Sequence, residues 1–372
     1  MSYNVNGKDM LTWFYSTTSP SNSPNTALTT NFRISNRDIS NNYVGIRTNS
    51  NIPVSQLYTI PYNSNGQSIG ALFELNLPVF SGTINTTYKI WPPANNNGLL
   101  IQILQSTTLK FNYNVDCSFA IVGGGGGGGN NANSNAGGGG GAGQLIIGSI
   151  IGYAAGNSLT ISIGDGGTAG VSGISTTLTY TSATITANGG GYGGGGKGSS
   201  NSVTGSSSGG TGSYSSGTPS VGTATQITIS NTSIFQSMTS YNNVGSLGND
   251  QNNDSGGGGG GGGAFAAAVK IDNENPVKGG DGRTITYGNT DVSLCGGGGG
   301  GSREGTGKIG AAGGLGGGGA GGNGNGGQTT GFAGTLNTGG GGGGGSNDAS
   351  APGGPGGSGT IFFYILPSGV KL

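Results

Sequence analysis

Seven near-pure glycine runs constrain this chain more than any other feature: Gly123–Gly129, Gly137–Gly141, Gly193–Gly196, Gly256–Gly263, Gly296–Gly301, Gly316–Gly319 and Gly339–Gly345. Glycine loses more backbone freedom on folding than any other residue. A chain that orders such runs must recover that entropy by packing backbone closely on backbone, and one that does not order them stays disordered. Of the 90 glycines in 372 residues, 6 precede residue 123 and 84 lie from residue 123 onward, so at least two regions are expected. Collagen needs Gly at every third position with Pro-rich residues between. Here the runs are contiguous and Pro numbers 12, which excludes it. The ordered alternative is polyglycine II, the extended three-residue turn that rises about 3.1 Å per residue and makes no internal hydrogen bonds. Without side chains, such helices can lie close and bond backbone to backbone on several sides. A seven-glycine run would then span roughly 22 Å.

Composition narrows the chemistry. Charged residues are 7% of the chain, with 13 Lys+Arg against 13 Asp+Glu. No basic patch or stripe marks a nucleic-acid partner. Histidine is absent, which removes the commonest general base and the commonest transition-metal ligand. Two cysteines, Cys117 and Cys295, fall short of the four ligands of a structural zinc site. They read as two small buried thiols beside glycine runs, with a disulfide as the alternative.

Before residue 123 the chain divides in two. Residues 1–60 are rich in Asn, Ser and Thr and read as an extended arm with one or two short strands; Pro20, Pro24 and Pro53 argue against helix. Residues 61–122 read as a β-rich domain, with strands at 72–77, 83–90, 99–104, 108–114 and 117–122. Beyond it, residues 123–372 alternate glycine runs with β-like segments at 144–151, 158–163, 174–180, 182–186, 225–230, 284–287 and 292–294. The strongest, 360–366, closes the chain. Glycine recurs too often for an amphipathic helix to persist. The expected fold is all-β: a β framework enclosing a bundle of packed polyglycine II helices, without substantial α-helix.

The order of elements from Val115 onward resembles the glycine-rich domains of phage tail-fibre and adhesin proteins and of related large-DNA-virus virion proteins. The resemblance rests on Phe119-Ala-Ile-Val-Gly-Gly-Gly-Gly126, Gly137–Gly143, Leu159-Thr-Ile-Ser-Ile-Gly-Asp-Gly-Gly167, Ile185-Thr-Ala-Asn-Gly-Gly-Gly191 and the closing Gly353-Gly-Pro-Gly-Gly-Ser-Gly-Thr-Ile-Phe-Phe-Tyr364. It covers about two-thirds of the chain. It implies a virion protein forming part of a fibre or surface filament by homo-oligomerisation. The alternative is a host receptor-binding adhesin at a fibre tip, engaging glycan or surface protein through loops in 197–255 and 270–294. No secretory signal or membrane-spanning segment is read at the start or along the chain. Assembly in a host cytoplasm, then residence in a virion or extracellular filament, is therefore expected.

Other motifs weigh less. Gly191-Tyr-Gly-Gly-Gly-Gly-Lys197-Gly198 meets part of the phosphate-binding-loop pattern but has Gly198 where a Ser or Thr would hold Mg²⁺. The carboxylates Glu74, Asp254, Asp272, Glu274 and Asp281 are scattered, and a glycosidase needs a facing pair. Tyr192, Tyr214, Tyr241, Phe265 and Tyr287 could cap the bundle or contact a ligand. Asn85, Asn231 and Asn253 begin glycosylation sequons of the kind an Asn/Ser/Thr-rich chain produces by chance. Thr176-Thr-Leu-Thr179, Thr223-Ala-Thr225 and Thr284/Thr286 resemble the threonine arrays of ice-binding proteins, though they are read as ordinary half-exposed strand threonines. No catalytic, cofactor-binding or metal-ligating residue is nominated, and no enzymatic role is expected.

Overall fold

The structure is a computed structural model. It describes residues 86–365, apart from 92–98, 112–113, 131–134, 196–200, 215–218, 226–231, 250–255, 273, 289, 304–308, 325–327 and 349–350, together with five short strands between residues 27 and 80. Among the described residues every regular element is a strand. The first four strands, β1 (Ala27–Leu28), β2 (Arg33–Arg37), β3 (Tyr43–Arg47) and β4 (Ile52–Pro53), form two antiparallel pairs, β1 with β4 and β2 with β3. The expected strand at 72–77, and the one at 225–230 apart from Thr225, lie outside the described residues.

Two open sheets pack face to face. The larger has the order β14 (Phe235–Tyr241), β10 (Leu145–Tyr153), β9 (Val115–Val122), β17 (Thr360–Ile365), β7 (Leu99–Ile103), β6 (Tyr88–Trp91). The smaller runs β13 (Ala183–Ala187), β12 (Thr176–Tyr180), β11 (Ser158–Ser162), β8 (Thr107–Lys110), β5 (Val79–Phe80). Strands from both sides of residue 122 thus share each sheet. The closing strand β17 lies in mid-sheet, antiparallel to both β9 and β7.

The sequence pattern accounts for the difference between the sheets. In β17, Ile361, Phe363 and Ile365 point into the layer between the sheets, whereas Phe362 and Tyr364 point to the opposite face. A strand apolar at successive positions needs cover on both faces. The second cover comes from a hairpin of β15 (Arg283–Tyr287) and β16 (Thr290–Leu294), which packs Tyr287 against Phe362 and Tyr364 with ring centroids 6.1 and 5.5 Å apart. The smaller sheet alternates instead. Leu159 and Ile161 are buried, while Ser158, Thr160 and Ser162 face out, the signature of a one-sided sheet.

The glycine runs continue the strands. Val122 of β9 leads directly into Gly123, and Gly143–Gln144 leads into β10, so the antiparallel pairing of these strands passes into the runs. The hydrogen bonds then repeat every third residue. Gly123, Gly126 and Gly129 donate to Gln144, Gly141 and Gly138; Gly124 and Gly127 donate to Ile174 and Val171; Gly125 and Gly128 donate to Gly357 and Gly354, all at 2.8–3.0 Å. Three further segments donate back: Gly190 and Gly193 to Gly124 and Gly127, Gly167 and Gly170 to Gly125 and Gly128, Gly342 and Gly345 to Gly126 and Gly129. This run therefore has a bonded neighbour on six sides. The run 137–143 repeats the scheme, donating in threefold rotation to the segments at 339–345, 188–194 and 259–262.

Such spacing leaves no room for a side chain. A Cβ on Gly126 would fall on the Gly191 carbonyl, and one on Gly140 on the Gly126 carbonyl. Where a segment is peripheral, every third residue turns outward and bears a side chain. Ile309, Ala312 and Leu315 are exposed along one segment, and Pro352 and Pro355 along another.

Candidate functional site at the far end of the bundle

The two ends of the bundle differ in chemistry. At the near end, strands become runs through a layer of polar side chains. Buried Gln144 bonds Ser240 Oγ at 2.7 Å through Nε2 and accepts the Asn188 N–H at 2.9 Å. Thr176 Oγ1 accepts the Gly164 N–H at 3.0 Å.

At the far end the runs stop together. Gly301 donates to Gly137, Gly137 to Gly345, Gly345 to Gly129 and Gly258 to Gly301. Just beyond, Ser213 donates to Ala136, Tyr214 to Asn249, Asn249 to Gly257, Ser302 to Gly322 and Asn347 to Ser302. One continuous layer therefore gathers the ends of segments far apart in sequence. The sequence that joins them is polar: Asn130-Asn-Ala-Asn-Ser-Asn135, Asn249-Asp-Gln-Asn-Asn-Asp-Ser255, Ser302-Arg-Glu-Gly-Thr-Gly-Lys308 and Ser346-Asn-Asp-Ala-Ser350.

Hydroxyls and amides finish the runs here. Ser213 Oγ accepts the Ala136 N–H at 2.9 Å, Thr211 Oγ1 the Gly248 N–H at 2.7 Å, and Ser302 Oγ the Gly324 N–H at 2.7 Å. The buried asparagines at this end are less well served. Asn135 Nδ2 and Oδ1, Asn249 Oδ1 and Asn347 Oδ1 have no hydrogen-bond partner, although these residues are 1%, 0% and 4% exposed. Sequence reading did not single out these asparagines. The available signal was their position, at or just beyond the end of a run.

The residues singled out from sequence are dispersed. Of the phosphate-loop match, Lys197 and Gly198 lie outside the described residues, and the Gly191, Gly193 and Gly194 amides already bond Ser207, Gly127 and Gly210. Glu74, Asp254 and the sequon asparagines also lie outside. Asp272 Oδ1 accepts the Glu274 and Asn275 amides in a local turn. Asp281 Oδ1 accepts from Lys278 Nζ at 2.7 Å and from the Leu315 N–H at 2.9 Å; both hold its carboxyl below the ordinary range, the lysine bond most strongly.

Of the aromatics, Tyr214 is half-buried at the far end and Tyr287 is buried at the near end, where burial pushes its hydroxyl pKa upward. The Arg283 guanidinium sits over the Tyr241 ring, 4.2 Å from its centroid. Phe265 is exposed and Tyr192 half-buried. Cys117 and Cys295 are both free and buried, and burial raises both thiol pKa values. They belong to cores on opposite faces of the larger sheet, as the buried-thiol reading expects.

The hydroxyl pairs form a more regular surface than the sequence indicated. Strand register aligns Thr108, Thr160, Thr179 and Thr184 in one row across β8, β11, β12 and β13, with Ser162, Thr177 and Thr186 in the next. Thr179 and Thr184 hydroxyls are 2.9 Å apart. Among the described residues no group of three or more acidic or cysteine side chains is placed to hold a metal. No helix among them is long and apolar enough to cross a membrane.

A family model described as a glycine-rich domain matches residues 104–365. The matched span takes in the bundle and the strands β8–β17, and leaves out β5, β6 and β7 of the two sheets. Comparison with curated proteins found no match.

Proposed function

Since the chain belongs to the glycine-rich domain family, we propose that it is a structural, non-catalytic protein whose runs are polyglycine II helices. It serves as a rigid module of a virion fibre or surface filament. The observation that carries this reading is the threefold rotation of backbone hydrogen bonds around the runs 123–129 and 137–143. A three-residue repeat is what polyglycine II requires, and bonding on six sides makes a stiff rod rather than a linker. Low charge supports it, because few groups would need desolvating in an assembly. In this reading residues 1–60 dock onto a neighbouring copy, for instance by adding a strand to an open sheet edge. The sandwich end faces the assembly and the far end faces outward.

The polar layer at the far end favours a second role on the same scaffold, contact with a host surface. Rigid scaffolds commonly carry recognition on the segments that join their elements. Electron microscopy of purified full-length protein tests the main reading. Filaments are expected from the full chain, and compact single particles with an intact glycine region from a chain lacking residues 1–40. Intact filaments from that truncation would remove the arm from the assembly mechanism. Dispersed particles from the full chain at every concentration would overturn the filament reading.

A further inference from the structure

The two packed sheets end in four edge strands, and three of them are guarded against pairing with another chain. β5 is two residues long. β6 carries Lys89 and runs into Trp91-Pro-Pro93. β14 is bulged where its register with β10 shifts between Ile147 and Ser149, and Ser237 there has φ 52°. The fourth edge, β13, has none of these devices. It is five residues long, uncharged and free of Pro and Gly, and it pairs only with β12.

The groups left open on β13 follow from its turn. Two residues, Thr181 and Ser182, join it to β12, and Tyr180 stands opposite Ala183. Thr181 has φ 51°, as the first position of a type II′ turn requires. The pair that closes a two-residue hairpin exchanges backbone bonds, and bonded and unbonded pairs then alternate along the strands. Ala183, Ile185 and Ala187 therefore bond β12, while the N–H and C=O groups of Thr184 and Thr186 point to the open edge. Among the described residues no other segment bonds these groups.

The sequence of this strand, Ala183-Thr-Ile-Thr-Ala187, reads the same in both directions. We propose that β13 pairs antiparallel with β13 of a second copy of this chain, about a two-fold axis through Ile185, so that the two smaller sheets become one. A palindrome laid against itself in this register places Thr184 opposite Thr186 of the second copy, and each open N–H meets an open C=O. No charge on either strand opposes the approach. Ile185, on the core side, meets Ile185 of the second copy and makes the two cores continuous. On the outer face, the row Thr108, Thr160, Thr179, Thr184 continues into Thr186, Thr177 and Ser162 of the second copy. Threonine pairs across strands are favourable, and the 2.9 Å between the Thr179 and Thr184 hydroxyls is already one such contact. Two-fold contacts of a patch with itself are the commonest way identical subunits join. This contact goes beyond the arm docking proposed above: the edge makes pairs of copies, and the arm links copies in series.

Full-length Thr184→Cys and Thr186→Cys chains test the register. Both positions are exposed, and the natural thiols Cys117 and Cys295 are buried. Bonded opposite residues have Cα atoms about 5.5 Å apart, within disulfide reach. Position 184 and its own counterpart lie on the diagonal, about 7–8 Å apart, beyond that reach. The two variants co-expressed and mildly oxidised should therefore give a band at twice the chain mass, and each variant expressed alone should stay at single mass. No cross-link in the co-expressed sample would overturn the proposal, as would equal cross-linking in a single variant. Microscopy reads filaments separately. Cross-linked pairs without filaments leave the edge contact standing and remove the filament reading, and filaments without the cross-link do the reverse.

Discussion

The sandwich and the bundle share strands, yet they are held by opposite means. Between the sheets, side chains do the work: Phe119 meets Phe235 edge-on with ring centroids 6.0 Å apart, and Phe111 meets Tyr153 at 5.2 Å. Side chains there can shift rotamers and partly fill a gap. In the bundle, backbone packs on backbone, and nothing in the contact has a rotamer to change. The sandwich should therefore tolerate loss of atoms at a graded cost, and the bundle should not tolerate their addition. Gly126→Ala tests the sharper half of this contrast. Its methyl group would fall on the Gly191 carbonyl, so relief requires moving a segment bonded on several sides. The expected loss exceeds about 4 kcal/mol, the range of severe core disruption. Urea denaturation followed by circular dichroism measures it, and a loss below that of a core truncation would show the lattice to be plastic.

Phe119→Ala supplies that core truncation. Phe119 is fully buried between the sheets, and Phe→Ala changes typically cost about 3–5 kcal/mol, depending on how far the cavity collapses. Denaturant titration should show a lower midpoint, whereas the protease resistance of the glycine region at low denaturant should persist if bundle and sandwich open separately. Loss of both together would mean a single cooperative unit, as the direct passage of β9 into Gly123 and of Gly359 into β17 favours.

A smaller effect is expected where the bundle borrows side chains. Ser246 is buried, and its Oγ accepts the Gly260 N–H at 2.9 Å in place of a backbone carbonyl. Ser246→Ala leaves that amide without an acceptor, which costs about 1–3 kcal/mol. Faster hydrogen exchange at Gly260 than in the unmodified protein would locate the loss, and unchanged exchange would show that another acceptor takes over.

These differences explain what the sequence disclosed. Strand β17 was legible because Thr360-Ile-Phe-Phe-Tyr-Ile365 is continuously β-favouring; its place between β9 and β7 was not, because periodicity says nothing of long-range pairing. Strand β14 was missed: Phe235-Gln-Ser-Met-Thr-Ser-Tyr241 holds few apolar residues, and it lies at a sheet edge, paired on one side with β10. The runs announced close backbone packing, whereas their neighbours depend on contacts that identical glycines cannot encode. Peripheral segments are the exception, since Ile309, Ala312 and Leu315 write the three-residue period into side chains. The far-end layer was illegible for a related reason. Asn135, Asn249 and Asn347 are separated by more than 90 residues from one to the next, and only the shared length of the runs brings them to one level.

The smallest effect belongs to charge. Asp281 lies where the segment 276–281 passes into the β15–β16 hairpin, and its backbone carbonyl accepts the Phe265 and Ala266 amides at 3.0 Å. Its carboxylate bonds Lys278 and the Leu315 N–H, and these depress its pKa in the folded protein. A carboxyl with a depressed folded pKa stabilises the fold above its unfolded value, about 3.9, and that contribution fades as pH falls through the folded value. Side-chain exposures of 54% for Lys278 and 39% for Asp281 leave the pair open to solvent and salt, so the effect should be modest. Melting temperatures of the unmodified protein and of Asp281→Asn should differ above pH 4 and converge as the pH approaches 2. Added salt should narrow the gap without closing it, because the Leu315 amide bond is uncharged on its donor side. A gap that vanishes in high salt would assign the whole contribution to Lys278, and a gap that persists unchanged would assign it to the backbone bond, the same kind of contact that holds the glycine runs.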